Sequence, residues 1–272
     1  MFPDAKIDFV LKKGNEALLQ NNPKVNELFV FDKSNGKLKS LLHLIKTFRS
    51  RKYDLVINLH RFGSSGLLSG FSKGKLRYGF SKNPYSILYT KKFEHQIGDG
   101  THEVERNLSI IQEFGAKQLV KPELFPTASD EESVTAYKTD TYYCLAPASV
   151  WFTKQLPKSK WIELIERLGK DKQIYLIGGP SDHTLCEEIR TALDPYRVTN
   201  LCGELSLMQS AALMKDAKRN FVNDSGPLHI ASSMNANVTA FFCSTVSDFG
   251  FSPLSDDSII MEVKGLDCRP CG

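Results

Sequence analysis

The chain has 272 residues, 41% hydrophobic and 24% charged, which is the balance of a folded globular protein with room for two domains. No stretch approaches the roughly eighteen consecutive apolar residues of a membrane span, and the amino terminus lacks signal-peptide character, so we expect a cytoplasmic protein. A formal net charge of +4 suits an anionic substrate or a membrane surface, whereas aromatic residues are not interleaved as in nucleic-acid-binding modules.

The first half of the chain alternates strand-like and helix-like patterns. Strands are predicted at residues 7–11, 27–31, 54–59 and 76–80, and helices at 39–49 and 101–114. Thr101 is the predicted N-cap of the second helix, and Gly115 is its predicted end. Such an alternation is typical of a parallel sheet covered by helices.

A segment from about Ala116 to Asp140 is rich in proline, serine, threonine and acidic residues and is predicted to contain an interdomain linker. The alternation then resumes. Strands are predicted at 142–146, 173–177, 198–201, 219–222 and 238–242, and helices at 161–168, 182–193, 207–215 and from 226 onward. We therefore predict two α/β domains, residues 1–136 and 137–272, with parallel sheets that face a ligand-binding cleft.

The turn between the strand ending at Val222 and the next helix is the most informative part of the chain. The amino end of a helix carries free backbone N–H groups and partial positive charge, which favour a phosphate. Gly226 permits close approach of a ligand, and Pro227 suits the first helical position. Alternatively, the turn is an ordinary one, with a capping side chain and a core histidine. The candidate contacts are Asp224, Ser225, Gly226, Pro227 and His229.

Two other loops also follow predicted strands, so all three loops are expected at one edge of the second sheet. Ser149 offers a hydroxyl and Lys154 a cation that suits a diphosphate, unless Lys154 is an ordinary surface lysine. After the next strand, Asp182 is a candidate acceptor for ribose hydroxyls. An equally good interpretation is that Asp182 or Ser181 only caps the following helix.

In the first half, Arg61 and Ser64 follow a predicted strand and are candidate contacts for an anionic acceptor. The neighbouring His60 is better interpreted as a core histidine. Cys268 and Cys271 form a single C-x-x-C pair without a second pair, so no complete metal site is expected. Motifs of kinases, dehydrogenases, zincins and serine hydrolases are absent from the sequence, and no cofactor is predicted.

The chain resembles glycosyltransferase family 9, the heptosyltransferases of bacterial lipopolysaccharide synthesis. The resemblance extends over nearly the whole chain. It rests on the turn Asn223-Asp-Ser-Gly-Pro-Leu-His-Ile-Ala, the loop Ala148-Ser-Val-Trp-Phe-Thr-Lys-Gln-Leu-Pro, Gly178-Gly-Pro-Ser-Asp, Asn200-Leu-Cys-Gly-Glu-Leu-Ser-Leu and Asp54-Leu-Val-Ile-Asn-Leu-His.

This resemblance implies a GT-B fold of two Rossmann-like domains and metal-independent, inverting transfer of a heptose from ADP-heptose to an anionic lipid-linked acceptor. It also implies association with the cytoplasmic face of the inner membrane. Carried over by position, Ser149 and Lys154 would bind the donor phosphates, and Asp182 the ribose. The turn at Ser225 and Gly226, with Asp224 and His229, would hold the diphosphate and sugar.

The family pattern also includes a first strand followed by a turn whose aspartate is the general base. The opening Met1-Phe-Pro-Asp-Ala-Lys-Ile-Asp-Phe-Val resembles the family's second strand, so we expect the first strand-helix unit and its base to be missing. Loss of a general base costs about two to four orders of magnitude in rate. No catalytic residue is assigned, and His60 stays open as a substitute.

Three alternatives stay open at this point. The chain is a transferase for another nucleotide sugar, a nucleotide-sugar-binding protein without transferase activity, or a structural domain that binds no nucleotide at all.

Overall fold

The computed structural model describes residues 4–34, 36–116, 119–138, 141–194 and 197–271. The chain divides into two compact units, Met1–Val120 (unit 1) and Lys121–Gly272 (unit 2). Within the described ranges, no helix combines the length and the apolar character that crossing a membrane requires.

Unit 1 is built from parallel strands in two separate sheets, one ordered β1-β2 and the other β3-β4-β5. The strands are β1 (Asp8–Lys12), β2 (Glu27–Phe31), β3 (Leu55–Asn58), β4 (Leu76–Phe80) and β5 (Lys91–Phe93), and the helices are α1 (Lys37–Arg51), α2 (Gly63–Phe71) and α3 (Glu103–Ser109).

Helix α1 joins the two parts of this unit through its apolar face. Leu41, Leu44 and Phe48 recur at helical spacing, are buried, and pack with Phe31 of β2 and Leu68 of α2. The exposed residues of α1 include basic side chains and two leucines, Leu38 and Leu42. The helix forms because this apolar stripe is removed from water, which is the main source of helix stability in proteins.

Helix α2 has the unusual sequence Gly-Ser-Ser-Gly-Leu-Leu-Ser-Gly-Phe, in which glycine and serine are weak helix formers. Its glycines are explained by close packing. A Cβ atom at Gly66 would lie 2.1 Å from Oδ1 of Asn83, and Asn83 donates hydrogen bonds to the carbonyls of His60 and Phe62 just before the helix. Tertiary contacts therefore hold this helix in place.

In the described part of unit 1, strand β1 pairs only with β2, and β3 pairs only with β4. Apolar side chains of both strands stay partly in water, with Phe9 40% and Ile57 40% exposed. Open strand edges of this kind present unpaired backbone groups.

Unit 2 contains a six-stranded parallel sheet with the order β11-β10-β9-β6-β7-β8. The strands are β6 (Tyr142–Ala146), β7 (Gln173–Leu176), β8 (Val198–Asn200), β9 (Arg219–Asn223), β10 (Val238–Phe242) and β11 (Ser258–Glu262), and the helices are α4 (Ala128–Ser133), α5 (Lys158–Arg167), α6 (His183–Thr191), α7 (Leu207–Asp216) and α8 (Gly226–Ser233).

Two apolar clusters cover the faces of this sheet. One contains Cys144 of β6 and the buried residues of α7 and α8, such as Leu213 and Leu228. The other contains Leu145 of β6 and residues of α5 and α6, including Trp161. All five residues of β6 are buried, as expected for a central strand covered on both faces.

Several predicted elements differ from the structure. The N-cap of α3 is His102 rather than Thr101, because the His102 ring accepts from the Val104 N–H and Glu105 completes a capping box. The predicted linker contains the short helix α4, which packs against α7. The two units therefore divide at Val120, before the predicted boundary at residue 136.

The core of unit 2 can be tested with two leucines of α7. Leu213 is fully buried, whereas Leu207 is 43% exposed. We expect Leu213→Ala to lower the free energy of unfolding by about 2–5 kcal/mol because it leaves a cavity, and Leu207→Ala by no more than about 0.5 kcal/mol. Trp151 and Trp161, the chain's two tryptophans, both lie in unit 2, so their fluorescence during urea unfolding reports on this unit. Equal effects of the two substitutions would contradict this packing.

Candidate functional site

Three loops meet at the carboxyl edge of the sheet of unit 2. They follow β6, β7 and β9, which are adjacent and parallel in the order β9-β6-β7. The prediction that these loops share one edge is therefore confirmed. Ligands of open α/β folds bind at the carboxyl edge of the parallel sheet. The edge at which the three loops meet is therefore the candidate site.

The amino end of α8 is open toward solvent. Ser225 is the N-cap, yet its side chain caps no helix N–H and instead lies 3.4 Å from the Asn223 carbonyl. Gly226 is exposed, and a Cβ atom there would meet no atom within 4 Å. Pro227 brings no N–H of its own. The helix end thus leaves donor groups and free space where an anion would bind.

Lys154 lies beside this helix end and is held by a buried carboxylate. Its Nζ is 2.7 Å from Oδ2 of Asp224, and the Thr245 hydroxyl donates to the same oxygen at 2.7 Å. The Asp224 side chain is only 6% exposed, whereas that of Lys154 is 26% exposed. The bond to Asp224 therefore fixes the position of the Lys154 ammonium group and leaves part of that group accessible.

Asn223 fastens the Lys154 loop to the same turn. Its side chain is fully buried, donates to the Pro147 carbonyl at 2.8 Å, and accepts from the Leu156 N–H at 3.0 Å. One amide thus binds both ends of the loop that carries Lys154. Because a buried amide must be satisfied by partners, this arrangement fixes the loop conformation.

Two residues of this arrangement were not predicted as site residues. Asn223 ends an apolar strand, and a polar residue at the end of such a strand is the sequence signal that could have identified it as a site residue. Thr245 follows β10, which pairs with β9, so the rule that identified the other loops extends to it. Arg269 in turn holds Thr245, because its Nε donates to the Thr245 carbonyl at 2.9 Å.

The remaining predicted residues of unit 2 lie around this edge. Oδ2 of Asp182 accepts from the Gly179 N–H at 2.8 Å, and its Oδ1 lies 3.2 Å from the Ser181 hydroxyl. The carboxylate therefore already stabilises its own loop. Ser149 is partly exposed, and its carbonyl accepts from the Gln155 side chain. His229 is exposed on α8.

Arg61 and Ser64 lie in unit 1, where β3 ends and α2 begins. Arg61 is exposed and stacks over Phe62, with 5.6 Å from the guanidinium carbon to the ring centroid. Ser64 lines a cavity of about 430 Å³ together with residues of α1, α2 and the following loop, namely Lys37, Leu38, Leu41, Gly63, Leu67 and Tyr85.

His60 is exposed, so its interpretation as a core histidine is wrong. The ring packs against Phe62, with centroids 4.5 Å apart. Partial desolvation of the ring, together with the positive charges of Lys33 and Arg61, lowers the pKa of His60 below its ordinary value of 6.5. Both effects favour the neutral form of the imidazole.

Cys268 and Cys271 are exposed free thiols. Within the ranges that the structure describes, no three histidine, cysteine, aspartate or glutamate side chains are grouped to hold a metal ion.

The fold of the chain is that of GT-B glycosyltransferases. The structure of Escherichia coli ADP-heptose lipopolysaccharide heptosyltransferase II matches it with a TM-score of 0.84 at 23% identity, covering 98% of this chain and 87% of that one. E. coli heptosyltransferase WaaC with ADP matches with a TM-score of 0.76 at 19% identity, covering 97% and 85% of the two chains.

The chain belongs to glycosyltransferase family 9 (heptosyltransferase), whose profile matches residues 41–272. It is 30% identical over 262 residues to lipopolysaccharide heptosyltransferase 3 of E. coli strain K12, a match that covers 90% of this chain and 75% of the relative. The protein is therefore a glycosyltransferase from a family of lipopolysaccharide biosynthesis, as its motifs indicate.

Thr245→Val tests the support beneath Lys154. The substitution keeps the shape of the side chain but removes a hydrogen bond to the buried Asp224 carboxylate, so we expect unit 2 to lose about 1–3 kcal/mol of unfolding free energy. Thr239→Val is a matched control, because Thr239 is also buried and has no hydrogen bond to its hydroxyl among the described residues. Equal stability of the two variants in urea unfolding would refute the role of Thr245.

The protonation of His60 can be followed by NMR titration. Because its pKa in the folded chain is below 6.5, the unfolded chain binds more protons between the two values. The contribution of His60 therefore makes the free energy of unfolding rise with pH across that window and fall as the pH is lowered through it. We expect a folded-state midpoint below 6.5 that moves upward in Arg61→Gln, which removes a neighbouring charge. A midpoint at or above 6.5 in the unmodified chain would contradict the environment described.

Proposed function

We propose that the protein binds an ADP-heptose-like donor at the carboxyl edge of unit 2 and transfers the sugar, with inversion and without a metal ion, to a lipopolysaccharide core acceptor. The observation that carries this proposal is the open amino end of α8 beside the Asp224-supported ammonium group of Lys154. Solved relatives named for ADP-heptose, or described with ADP, support the choice of nucleotide.

A diphosphate fits the chemistry of this edge. The amino end of α8 offers backbone N–H groups and the positive end of the helix dipole. Lys154 has three N–H donors, of which one is directed to Asp224, so others are left for a phosphate oxygen. As a sugar leaves, negative charge grows on the diphosphate, and a fixed cation and helix end stabilise that charge. In this proposal, the fixed cation and the helix end take the role that a divalent ion has in other transferases.

Other residues of this edge would orient the rest of the donor. Oδ1 of Asp182 can accept from a ribose hydroxyl, while Oδ2 keeps its bond to the Gly179 N–H. The Ser149 hydroxyl and the exposed His229 ring would contact phosphate and sugar. In this proposal Asp224 acts mainly through Lys154, because it is buried beneath the ammonium group.

The acceptor would bind to unit 1. Arg61 supplies a cation and Ser64 a hydroxyl beside the cavity of about 430 Å³, and both suit the phosphorylated sugars of an anionic acceptor. Because such an acceptor is anchored in lipid, we propose that the protein acts at the cytoplasmic face of the inner membrane.

A donor-binding experiment on the intact chain tests this proposal. Gly226→Ala is the sharpest variant, because a Cβ atom at this position meets no protein atom within 4 Å and therefore disturbs only a ligand. We expect calorimetric titration to show ADP binding in the unmodified chain, with affinity lowered about tenfold or more in Gly226→Ala and in Lys154→Ala. Lys158→Ala, which removes only an exposed ion pair with Glu188, is the control.

The outcomes separate the competing functions. Selective binding of UDP or GDP would mean that the donor is a nucleotide sugar other than ADP-heptose. ADP binding without any transfer to a lipopolysaccharide core acceptor would leave a donor-binding protein, and transfer that EDTA abolishes would contradict metal independence. If no nucleotide binds to a chain that circular dichroism shows to be folded, the proposed donor site is refuted.

A further inference from the structure

The loop between β6 and α5 presents three consecutive large apolar side chains to solvent. Val150 is 95% exposed, Trp151 68% and Phe152 85%. In the part of the chain that the structure describes, Val150 and Phe152 are the two most exposed large apolar side chains. Single exposed apolar residues are common, but a contiguous exposed group indicates a binding surface. We call the side chains of Val150, Trp151 and Phe152 the apolar patch.

Hydrogen bonds within the loop hold the apolar patch in a defined conformation. The Trp151 carbonyl accepts from the Lys154 N–H at 3.0 Å. The Phe152 carbonyl accepts from the Gln155 N–H, also at 3.0 Å. The Gln155 side chain donates to the Ser149 carbonyl at 2.7 Å, just before the patch. The patch therefore belongs to a structured turn, and little conformational entropy is lost when such a turn binds a ligand.

The apolar patch lies beside the groups proposed to bind the donor diphosphate. One backbone hydrogen bond links Trp151 to Lys154, and the Lys154 ammonium group lies 2.7 Å from Asp224. In a nucleotide sugar, the sugar is bonded to the diphosphate itself, whereas the base is separated from it by the ribose. In the proposed function, the ribose contacts Asp182 on a different loop. The sugar is therefore the uncharged part of the donor nearest to the diphosphate that this loop would hold.

The composition around the patch favours an uncharged ligand surface. Residues 145–153 contain no charged side chain, and unit 2 contains fifteen basic and twenty acidic residues. This segment therefore offers no cation to a lipid headgroup or to a further phosphate. A sugar ring, in contrast, has C–H groups on its faces and hydroxyl groups at its edge. The faces of tryptophan and phenylalanine rings attract such C–H groups, and an indole N–H can donate to a hydroxyl.

We infer that Trp151 and Phe152 stack on the uncharged sugar ring of the donor and thereby contribute to the choice of sugar. This inference rests on the proposed function, because it takes the diphosphate to be held by Lys154 and the amino end of α8. Each of the two aromatic side chains has only two rotatable bonds, so they supply a large contact area at little entropic cost. The rings then act on the sugar, whereas Lys154 acts on the phosphates.

Calorimetric titration of the intact chain with ADP and with ADP-heptose tests the inference. The two ligands share the nucleotide, so the difference between their affinities isolates the sugar. We expect Trp151→Ala to weaken ADP-heptose binding about tenfold and ADP binding less than about twofold. Trp151→Phe keeps an aromatic face and should retain most of the ADP-heptose affinity. Trp151→Leu keeps an apolar side chain without a ring and should lose affinity as Trp151→Ala does.

Tryptophan fluorescence gives a second measurement in the unmodified chain. Trp151 is exposed and Trp161, the other tryptophan, is fully buried, so acrylamide quenches mainly Trp151. We expect ADP-heptose to protect this fluorescence from quenching more than ADP does. Met261→Ala, which shortens an exposed apolar side chain on β11, is the control for the titrations and should change neither affinity.

The outcomes distinguish this inference from the proposed function. If ADP binds but Trp151→Ala changes neither affinity, the inference is overturned and the donor site stands. Equal loss of both affinities would also overturn it, because Trp151 would then contact the nucleotide rather than the sugar. So would a Trp151→Ala effect on self-association alone in sedimentation velocity. If the unmodified chain binds neither ligand, the proposed donor site fails and the inference fails with it.

Discussion

The candidate donor site depends on two consecutive buried side chains at the end of β9. Asn223 joins both ends of the β6–α5 loop to this strand, and Asp224 holds the lysine that the loop carries. Their partners are more than sixty residues away in the chain. The loop has little regular structure of its own, so these hydrogen bonds, rather than local backbone preferences, determine where Lys154 stands relative to α8.

Because Asp224 is buried, its carboxylate needs a counter-charge and hydrogen-bond partners. Removing a carboxylate from water is costly unless a counter-charge and hydrogen bonds compensate. Lys154 provides the counter-charge, and Thr245 donates its hydroxyl. Arg269, near the carboxyl terminus, donates to the Thr245 carbonyl. The lysine is thereby preorganised before any ligand arrives, and preorganised charges are those that stabilise a leaving diphosphate without further reorganisation.

The strands were the most predictable elements, because apolar and β-branched runs bounded by turn residues identify them directly. Strands β2, β4, β6 and β10 have the bounds expected from sequence. The short helix α4 was missed because its residues are polar and its start depends on a capping box between Thr127 and Asp130. Strand β11 was missed because it lies at the sheet edge and is half exposed, so its pattern is weak.

For the candidate site, the sequence predicted three loops that the structure brings to one edge of the sheet, but not what each residue in them contacts. Parallel strands place their following loops at one edge, which is a rule of topology and needs no coordinates. Whether Asp224 touches a ligand or supports Lys154 depends instead on a contact between residues seventy positions apart. The structure favours support. His60 illustrates the same limit, since its exposure and the lowering of its pKa by partial desolvation and nearby cations are seen only in the structure.

The two units differ in charge, and the proposed function gives this difference a role in binding two anionic ligands. Counting lysine and arginine against aspartate and glutamate, unit 1 carries a net charge of +9 and unit 2 a net charge of −5. A net negative unit attracts a nucleotide diphosphate only if it builds a local positive site, and the end of α8 with Lys154 is such a site. Unit 1 needs no such construction, because its general positive field already favours a large anionic partner. In the proposed function, a small donor would therefore be selected by a few fixed groups, whereas an extended anionic acceptor would be attracted by the many cations of unit 1.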